Sequence, residues 1–165
     1  MKIKQELDII IEKHPHSKSL NKKLLLECKN CPENNSYYTN IKGTKLFVKD
    51  SPNCTLVLNW VVNILKNKLH SSNSEPIEYD KSMWFAKYDK GDYTQTHHHS
   101  FVLYAFVYFI KTPKGSSPLV FTKSGKKIKA EEGKVVIFPG VLRHHVPKNR
   151  CDDRIIVAGN VVFTQ

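Results

Sequence analysis

The sequence has no apolar run long enough to cross a bilayer. A membrane-spanning helix needs about 20 consecutive apolar residues, and no segment of this 165-residue chain reaches that length. The first residues also lack the pattern of a secretory signal, because Glu6 and Asp8 stand among them and their only apolar run, 9–11, is short. These absences argue against a membrane protein, and we expect a cytoplasmic one.

Arginine is scarce, and the basic residues form no compact block. The formal net charge is +11, but of the 26 basic residues only Arg143, Arg150 and Arg154 are arginines. The lysines are dispersed from Lys2 to Lys148 instead of lying in one segment of about 5–8 residues. Such a diffuse field supports only weak nucleic-acid binding that falls steeply as salt is added. A nucleic-acid partner therefore stays open but is not favoured.

Cysteine is too scarce for a disulfide framework. The chain has four cysteines, and cytosolic proteins of this length do not depend on disulfides. Cys28 and Cys31 have the spacing of half a zinc knuckle, but no second pair follows them. His14, His16 and Cys54 could complete a zinc site only if the fold brought them together. We expect free thiols, and the role of the pair stays open.

The N-terminal third has the apolar spacing of helices. A first predicted helix has its stripe at Ile3, Leu7, Ile10 and Ile11. A second, from about Ser19, has one face formed by Leu20, Leu24 and Cys28. The clearest helix follows Ser51-Pro52, a cap followed by proline at the first helical position, and its stripe is Val57, Trp60, Val61, Ile64 and Leu65. Residues 29–50 are predicted as a loop with a strand at 45–48, and 70–76 as a linker.

From residue 77 onward the pattern changes to that of strands. Short runs rich in β-branched and aromatic residues, separated by Gly and Pro turn clusters, lie at 82–88, 101–111, 118–122, 134–138 and 154–163. Many short strands indicate a sandwich or closed barrel, with the helices covering one face. We predict a single domain over 1–165, mainly β with N-terminal helices, in which 1–76 are a helical support region for a β core at 77–165.

Five of the eight histidines form two groups, at 97–99 and at 144–145. In an extended strand His97 and His99 point to the same face and His98 points away. A third imidazole, from His144 or His145, could meet them if the two strands are neighbours. Three protein ligands on one face leave positions open for substrate and oxygen, as in a non-heme iron centre. Imidazole also suits zinc, copper and nickel, so the ligand type alone does not select the metal.

Two segments around these histidines resemble the metal-binding strands of 2-oxoglutarate- and Fe(II)-dependent oxygenases. Residues 88–99 have the order Tyr, Gly, aromatic, His-x-His, and residues 133–146 have Gly, an apolar run, Phe-Pro and then His-x-Val. Arg154 follows His144 by ten residues, where this superfamily places the arginine that holds the far carboxylate of 2-oxoglutarate. The nearest likeness is to uncharacterised oxygenases of phages and bacteria with a prolyl 4-hydroxylase-like core, which suggests a phage protein in the host cytoplasm.

The resemblance implies a double-stranded β-helix core, also called a jelly roll or cupin-like fold, and an Fe(II)- and 2-oxoglutarate-dependent dioxygenase. Such an enzyme hydroxylates a substrate with O2 and releases succinate and CO2. The implied metal ligands and catalytic residues are His97, His99 and His144. The implied cofactor-binding residues are Arg154, Tyr88, Tyr108 and Asn160.

The sequence departs from the family pattern at three positions. His99 replaces the usual aspartate, so the first shell of the metal has no negative charge, and Asp92, in the preceding turn, is a poor substitute. Ile156 stands where many relatives have serine, and Phe109 where relatives often have tyrosine. We therefore expect a more apolar co-substrate pocket than is usual.

Two other functions stay open at this point. A cupin-type three-histidine dioxygenase would use no 2-oxoglutarate, and Arg154 would then point away from the metal. A non-catalytic metal-binding module that docks on nucleic acid would hold zinc or a vestigial site. The substrate, a small molecule or a protein side chain or a nucleobase, and the oligomeric state are not predicted.

Overall fold

The structure, a computed structural model, describes residues 7–31, 40–48, 51–69, 78–79 and 82–164. Its elements in chain order are β1 (Ile10–Lys13), α1 (Ser17–Asn30), β2 (Ile41–Lys42), β3 (Thr44–Phe47), α2 (Pro52–Leu69), β4 (Glu78–Tyr79), β5 (Ser82–Tyr88), β6 (Tyr93–His97), β7 (Tyr104–Lys111), β8 (Leu119–Phe121), β9 (Lys127–Ile128), β10 (Lys134–Pro139), β11 (His144–Val146), β12 (Arg154–Val161) and β13 (Phe163–Thr164). The predicted linker at 70–76 lies outside the described residues. Neither described helix has the length and apolarity that crossing a bilayer requires.

Within these residues the strands form two layers and one small extra sheet. The larger layer has six strands in the order β1-β10-β7-β12-β5-β3, and the smaller has five in the order β2-β6-β11-β8-β9. β13 pairs with β4 separately. Neighbouring strands are antiparallel throughout both layers.

Alternation along the central strands divides the apolar side chains between two cores. Along β12, Ile155 and Val157 cluster with side chains of the helices, whereas Ile156 and Ala158 belong to a second cluster between the two sheets. Successive residues of a strand point to opposite faces, so one strand serves both cores. The second core is the one in which the candidate site forms.

Both described helices cover the larger sheet with the faces that the sequence predicts. Their buried apolar side chains include Leu20, Leu24 and Cys28 in α1 and Val57, Val61 and Leu65 in α2. Ser51 caps α2, because its hydroxyl oxygen accepts a hydrogen bond from the backbone N–H of Cys54 at 3.0 Å. Pro52 follows at the first helical position, where a missing N–H costs nothing.

Most predicted strands are confirmed. The first predicted helix is wrong over the part of it that the structure describes. Residues 10–13 form β1, an edge strand paired with β10, while Ile3 lies outside the described residues. Ile10 is buried and Ile11 is exposed, which is the alternation of a strand. Pro15 also disfavours helical backbone at the residue before it. Four apolar residues are too few to distinguish the 3.6-residue period of a helix from the two-residue period of a strand.

Three strands of the N-terminal third join the sheets. β1 and β3 lie at the two edges of the larger sheet, and β2 lies at an edge of the smaller one. The predicted strand at 45–48 is confirmed by β3, whereas β1 and β2 were not predicted. The N-terminal third therefore contributes to both layers in addition to covering one of them.

A buried polar pair ties α1 to the larger sheet. The Tyr108 hydroxyl donates a hydrogen bond to Asn21 Oδ1 at 2.7 Å, and Asn21 Nδ2 donates to the carbonyl of Ile110 at 2.8 Å. Both side chains are buried. Removing one partner from such a pair leaves a polar atom that water cannot reach.

We therefore expect Tyr108→Phe to lower the free energy of unfolding by about 1–3 kcal/mol, since Asn21 Oδ1 loses its donor. Tyr104→Phe is the matched control, because the Tyr104 hydroxyl makes no hydrogen bond within the described residues. Urea unfolding of both variants measures the difference. Equal stability of the two variants would contradict the role of this pair.

Candidate metal centre

Two of the predicted ligands are directly opposite each other on neighbouring strands. His97, the last residue of β6, is the register partner of His144, the first residue of β11. Side chains at paired positions of antiparallel strands lie on the same face. The distance between their ring centroids is 4.3 Å, so strand pairing alone brings these imidazoles together.

His99 lies beyond the end of β6 and is held by the turn after β10. Its backbone N–H donates a hydrogen bond to the carbonyl of Gly140 at 2.8 Å. A Cβ at position 140 would overlap the carbonyl oxygens of Val102 and His99. Only glycine therefore allows the two loops to approach this closely.

The three imidazoles form one cluster with the geometry of a metal site. Their candidate ligand atoms all lie within 4.8 Å of one another, and no other group of His, Cys, Asp or Glu in the described part of the chain meets the same criterion. The ring of His99 lies 5.0 Å from that of His97 and 5.3 Å from that of His144.

All four cysteines are free thiols, as expected.

Hydrogen bonds to backbone carbonyls determine which ring nitrogen of His97 and His144 is available to a metal. His97 Nδ1 lies 2.9 Å from the carbonyl oxygen of Gln95, and His144 Nδ1 lies 2.8 Å from that of Leu142. A carbonyl oxygen can only accept, so Nδ1 carries the proton in both rings and Nε2 keeps its lone pair. The two rings are thus oriented as metal ligands commonly are.

Burial keeps the three imidazoles neutral at pH 7. Desolvation lowers the pKa of His144 to about 3 and that of His99 to about 4, with further lowering from the neighbouring imidazoles. The pKa of His97 is also lowered, chiefly by burial. Neutral imidazole is the form that binds a metal ion, so the cluster is prepared to bind without losing protons.

The neighbouring histidines and the nearest acid lie outside this cluster. His98 is exposed and its Nδ1 lies 3.2 Å from the hydroxyl of Ser100. His145 Nδ1 lies 3.2 Å from the hydroxyl of Thr122. Asp92 instead accepts a hydrogen bond from the backbone N–H of Asp89. The donor set thus contains no carboxylate within the described residues.

Arg154 lines the same cavity from the opposite sheet. It is 0% exposed, and none of its guanidinium nitrogens has a hydrogen-bond partner within the described residues. Its guanidinium carbon lies 4.5 Å from the ring centroid of Tyr88 and 5.6 Å from that of Phe109. Desolvation lowers the pKa of Arg154 from its ordinary value.

A buried guanidinium without an acceptor is costly. A charge taken out of water is ordinarily paired and hydrogen-bonded, and an unpaired one costs several kcal/mol. Stacking on two aromatic rings offsets only about 0.5–2 kcal/mol of this. The cavity therefore has a strong preference for an anion with acceptor oxygens, such as a carboxylate, beside Arg154.

The start of β12 is fixed by polar contacts on both sides. Asp153, whose φ is 60°, accepts a hydrogen bond from the Lys111 ammonium at 3.2 Å. It also forms an ion pair with Lys87 at 3.2 Å. Asn149, which is buried, donates to the carbonyl of Tyr88 at 3.3 Å. These contacts hold the pair Arg154 and Tyr88, which are register partners on β12 and β5.

The four predicted cofactor-binding residues occupy different places. Arg154 and Tyr88 line the cavity, and the Tyr88 hydroxyl is hydrogen-bonded to that of Thr94 at 2.7 Å. Asn160 lines an adjoining outer cleft. Tyr108 instead belongs to the other core, where it bonds Asn21, and it does not line this cavity. Phe109, one residue later, points between the sheets instead.

Sequence reasoning missed four residues that shape the site. Gly140 was noted only as part of a turn, and its close contact depends on a loop distant in sequence. Thr94, Trp84 and Lys45 line the cavity or its outer cleft, but none of them is one of the residues on which the predicted site was based. Alternation along β5 from Tyr88 could have placed Trp84, whereas nothing local could have placed Lys45.

Comparisons by sequence find no relative: no family model and no curated protein matches the chain. Solved structures do match it. The viral collagen prolyl hydroxylase of Paramecium bursaria Chlorella virus-1, solved as a 2OG complex, has a TM-score of 0.74 at 14% identity and covers 93% of this chain and 94% of its own. A Pseudomonas putida prolyl-4-hydroxylase has a TM-score of 0.70 at 13% identity, covering 95% and 93%.

A third match is an oxidoreductase of the 2OG-Fe(II) oxygenase family from Burkholderia pseudomallei. It has a TM-score of 0.72 at 10% identity and covers 93% of this chain and 84% of its own. At these identities the similarity establishes the fold. The chain has the double-stranded β-helix fold of the prolyl hydroxylases, so the predicted mainly β fold with N-terminal helices is confirmed.

The geometry distinguishes the two neighbouring histidines of β11. We expect His144→Ala to abolish stoichiometric Fe(II) binding, because it removes one of three ligands that cluster. His145→Ala is the matched control and should keep near-full binding, since its ring lies outside the cluster. Iron content after anaerobic loading measures both variants. Loss of iron in His145→Ala with retention in His144→Ala would reassign the ligands.

Proposed function

We propose that the protein is an Fe(II)- and 2-oxoglutarate-dependent dioxygenase that hydroxylates a C–H bond of its substrate. The observation that carries this proposal is the buried, unpartnered guanidinium of Arg154 in the same cavity as three converging imidazoles. Metal ligands and a carboxylate anchor within one pocket match the two ends of a metal-chelating 2-oxo acid. The fold of the similar solved structures supports the same conclusion.

His97, His99 and His144 would hold the iron. Their imidazoles are neutral, and the carbonyls of Gln95 and Leu142 fix the orientation of two of them. Bound Fe(II) and 2-oxoglutarate would supply the oxidising chemistry, in which O2 and the 2-oxo acid yield succinate and CO2 as a substrate C–H bond is hydroxylated. A first shell without a carboxylate binds a divalent ion less tightly than the usual set, because it contributes no negative charge.

Arg154 would bind the far carboxylate of 2-oxoglutarate. Its planar donor fork matches two carboxylate oxygens, and the anion would satisfy a charge that is otherwise uncompensated. The Tyr88 ring orients the guanidinium by stacking against it. The Tyr88 hydroxyl, paired with Thr94, is a second polar group that the same carboxylate could reach by exchanging partners.

Apolar side chains would exclude water around the bound acid. Phe109 and Ile156, at the two positions where relatives carry polar residues, belong to the core between the sheets, and so does Phe138 beside His144. A dry wall strengthens the ion pair between Arg154 and a carboxylate. It also limits the loss of reactive species to solvent.

The position of Arg154 favours this function over a cupin-type dioxygenase without 2-oxoglutarate. That rival function gives a buried arginine at the metal cavity no ligand to bind. A non-catalytic zinc module would likewise leave the guanidinium without a partner. The two rival functions differ from the proposed one in what the protein does with 2-oxoglutarate once iron is bound.

We expect Arg154→Ala to keep iron but to weaken 2-oxoglutarate binding about 30-fold to several-thousand-fold, since a desolvated charge-assisted pair is worth about 2–5 kcal/mol. Arg154→Lys should recover only part of the loss, because an ammonium group cannot reproduce the planar fork. Arg150→Ala removes an exposed arginine and is the matched control. Binding is measured anaerobically, and turnover as succinate formed with Fe(II), ascorbate and O2.

The wild-type protein decides the function. Slow succinate formation without the true substrate, above a metal-free control, is the expected result. Full iron occupancy with neither 2-oxoglutarate binding nor succinate would contradict the proposal and favour the three-histidine dioxygenase.

A further inference from the structure

A second cleft opens beside the metal cluster and shares two of its ligands. It has a volume of about 560 Å3, and its walls include His97, His99, Trp84 and Asn160. The other side is formed by the N-terminal strands β2 and β3, with Lys42 and Lys45 among the lining residues. No acidic side chain of the described residues lines it. The cleft is thus a cationic approach to the candidate metal.

Lys45 is the charged group held most firmly in this cleft. Its ammonium lies 4.3 Å from the ring centroid of Trp84 and 4.6 Å from that of Phe47. It forms no ion pair with any carboxylate of the described residues. Burial lowers the pKa of Lys45. The rings thus hold a partly desolvated cation that has no anionic partner among the described residues.

Two uncharged polar atoms of residues that line this cleft also have no partner among the described residues. The indole Nε1 of Trp84 and the side-chain oxygen Oδ1 of Asn160 are both buried, and neither makes a hydrogen bond within the described residues. Buried donors and acceptors are almost always satisfied. Together, one unpaired donor and one unpaired acceptor are the complement of an amide group, which offers a C=O and an N–H.

Strand pairing places the side chains of Trp84 and Asn160 on one face of the larger sheet. Trp84 is the register partner of Ala158, and Ser82 is the partner of Asn160. Trp84 and Asn160 are therefore diagonal neighbours on adjacent strands, about 5–8 Å apart at their Cβ atoms. An amide spans such a distance, and Lys45 lies directly over the Trp84 ring.

We propose that this cleft binds the hydroxylation substrate and that the substrate is an acidic amide, a compound with a carboxylate close to an amide group. Lys45 binds the carboxylate, Trp84 Nε1 donates to the amide C=O, and Asn160 Oδ1 accepts from the amide N–H. The inference rests on the proposed dioxygenase function, because it names the substrate class of that site. A free acyl amino acid and an acidic residue of a peptide both have this chemistry.

The test uses the Fe(II)- and 2-oxoglutarate-loaded protein without oxygen, and equilibrium dialysis of radiolabelled probes. N-acetylglycine should bind about ten-fold or more tightly than its neutral counterpart N-acetylglycinamide, since only the acid can pair with Lys45. A second pair, N-acetyl-aspartate amide and N-acetyl-asparagine amide, represents an acidic residue within a peptide. Preference for the acid in either pair supports the inference. The pair that shows it identifies the substrate as a free acyl amino acid or as an acidic residue of a peptide.

Variants assign the preference to the cleft. Lys45→Met should abolish it and Lys45→Arg should keep most of it, which separates loss of charge from loss of folding. Lys126→Met removes an exposed lysine on the β8–β9 hairpin and lowers the net charge equally, so it should keep the preference. Trp84→Phe should weaken the acid and its neutral counterpart by the same factor, because it removes the donor to the amide.

No preference for the acid in either pair would overturn the inference, and so would an equal loss in Lys126→Met and Lys45→Met. Failure of the dioxygenase function is recognised separately, because 2-oxoglutarate would then not bind to the iron-loaded protein. Bound 2-oxoglutarate together with indifference to the probe charge would refute the substrate class alone.

Discussion

The site depends on one buried charge. Arg154 lies between the two sheets with no acceptor for its guanidinium within the described residues, and no folded protein gains by leaving a charge there. An anionic ligand removes this penalty, so the cost of burial becomes a preference for a carboxylate. Asp153 and Asn149 hold the backbone around Arg154, and the ring of Tyr88 stacks on its guanidinium.

Two cross-strand pairs, one from each sheet, make up most of this site. His97 and His144 are partners in the smaller sheet, and Arg154 and Tyr88 are partners in the larger one. Packing the sheets face to face puts the proposed metal ligands and the proposed carboxylate anchor on opposite walls of one cavity. The sandwich would thereby position both ends of the proposed co-substrate, and the turn at Gly140 would hold His99 in place.

The parts of the site that could be predicted from sequence are those that depend on the order of residues within one short segment. Strand alternation identified His97 and His99, and the family resemblance identified Arg154; the structure brings all three to one cavity. The parts that could not be predicted depend on distant pairing or on a single residue of register. The apolar pattern of β1 fits a helix as well as a strand. Lys45 reaches the cleft only through the pairing of β3 with β5. Tyr108 and Phe109 differ by one position, and the strand turns the first to the helices and the second to the core between the sheets.

The central claim is that one cavity binds iron and 2-oxoglutarate together. A 2-oxo acid that chelates Fe(II) produces a visible charge-transfer absorption that neither component has alone. An anaerobic titration of the iron-loaded protein with 2-oxoglutarate tests for this directly. We expect a band that saturates at one 2-oxoglutarate per iron in the wild type and is missing in Arg154→Ala at the same concentrations. Full iron occupancy without any such band in the wild type would contradict the claim.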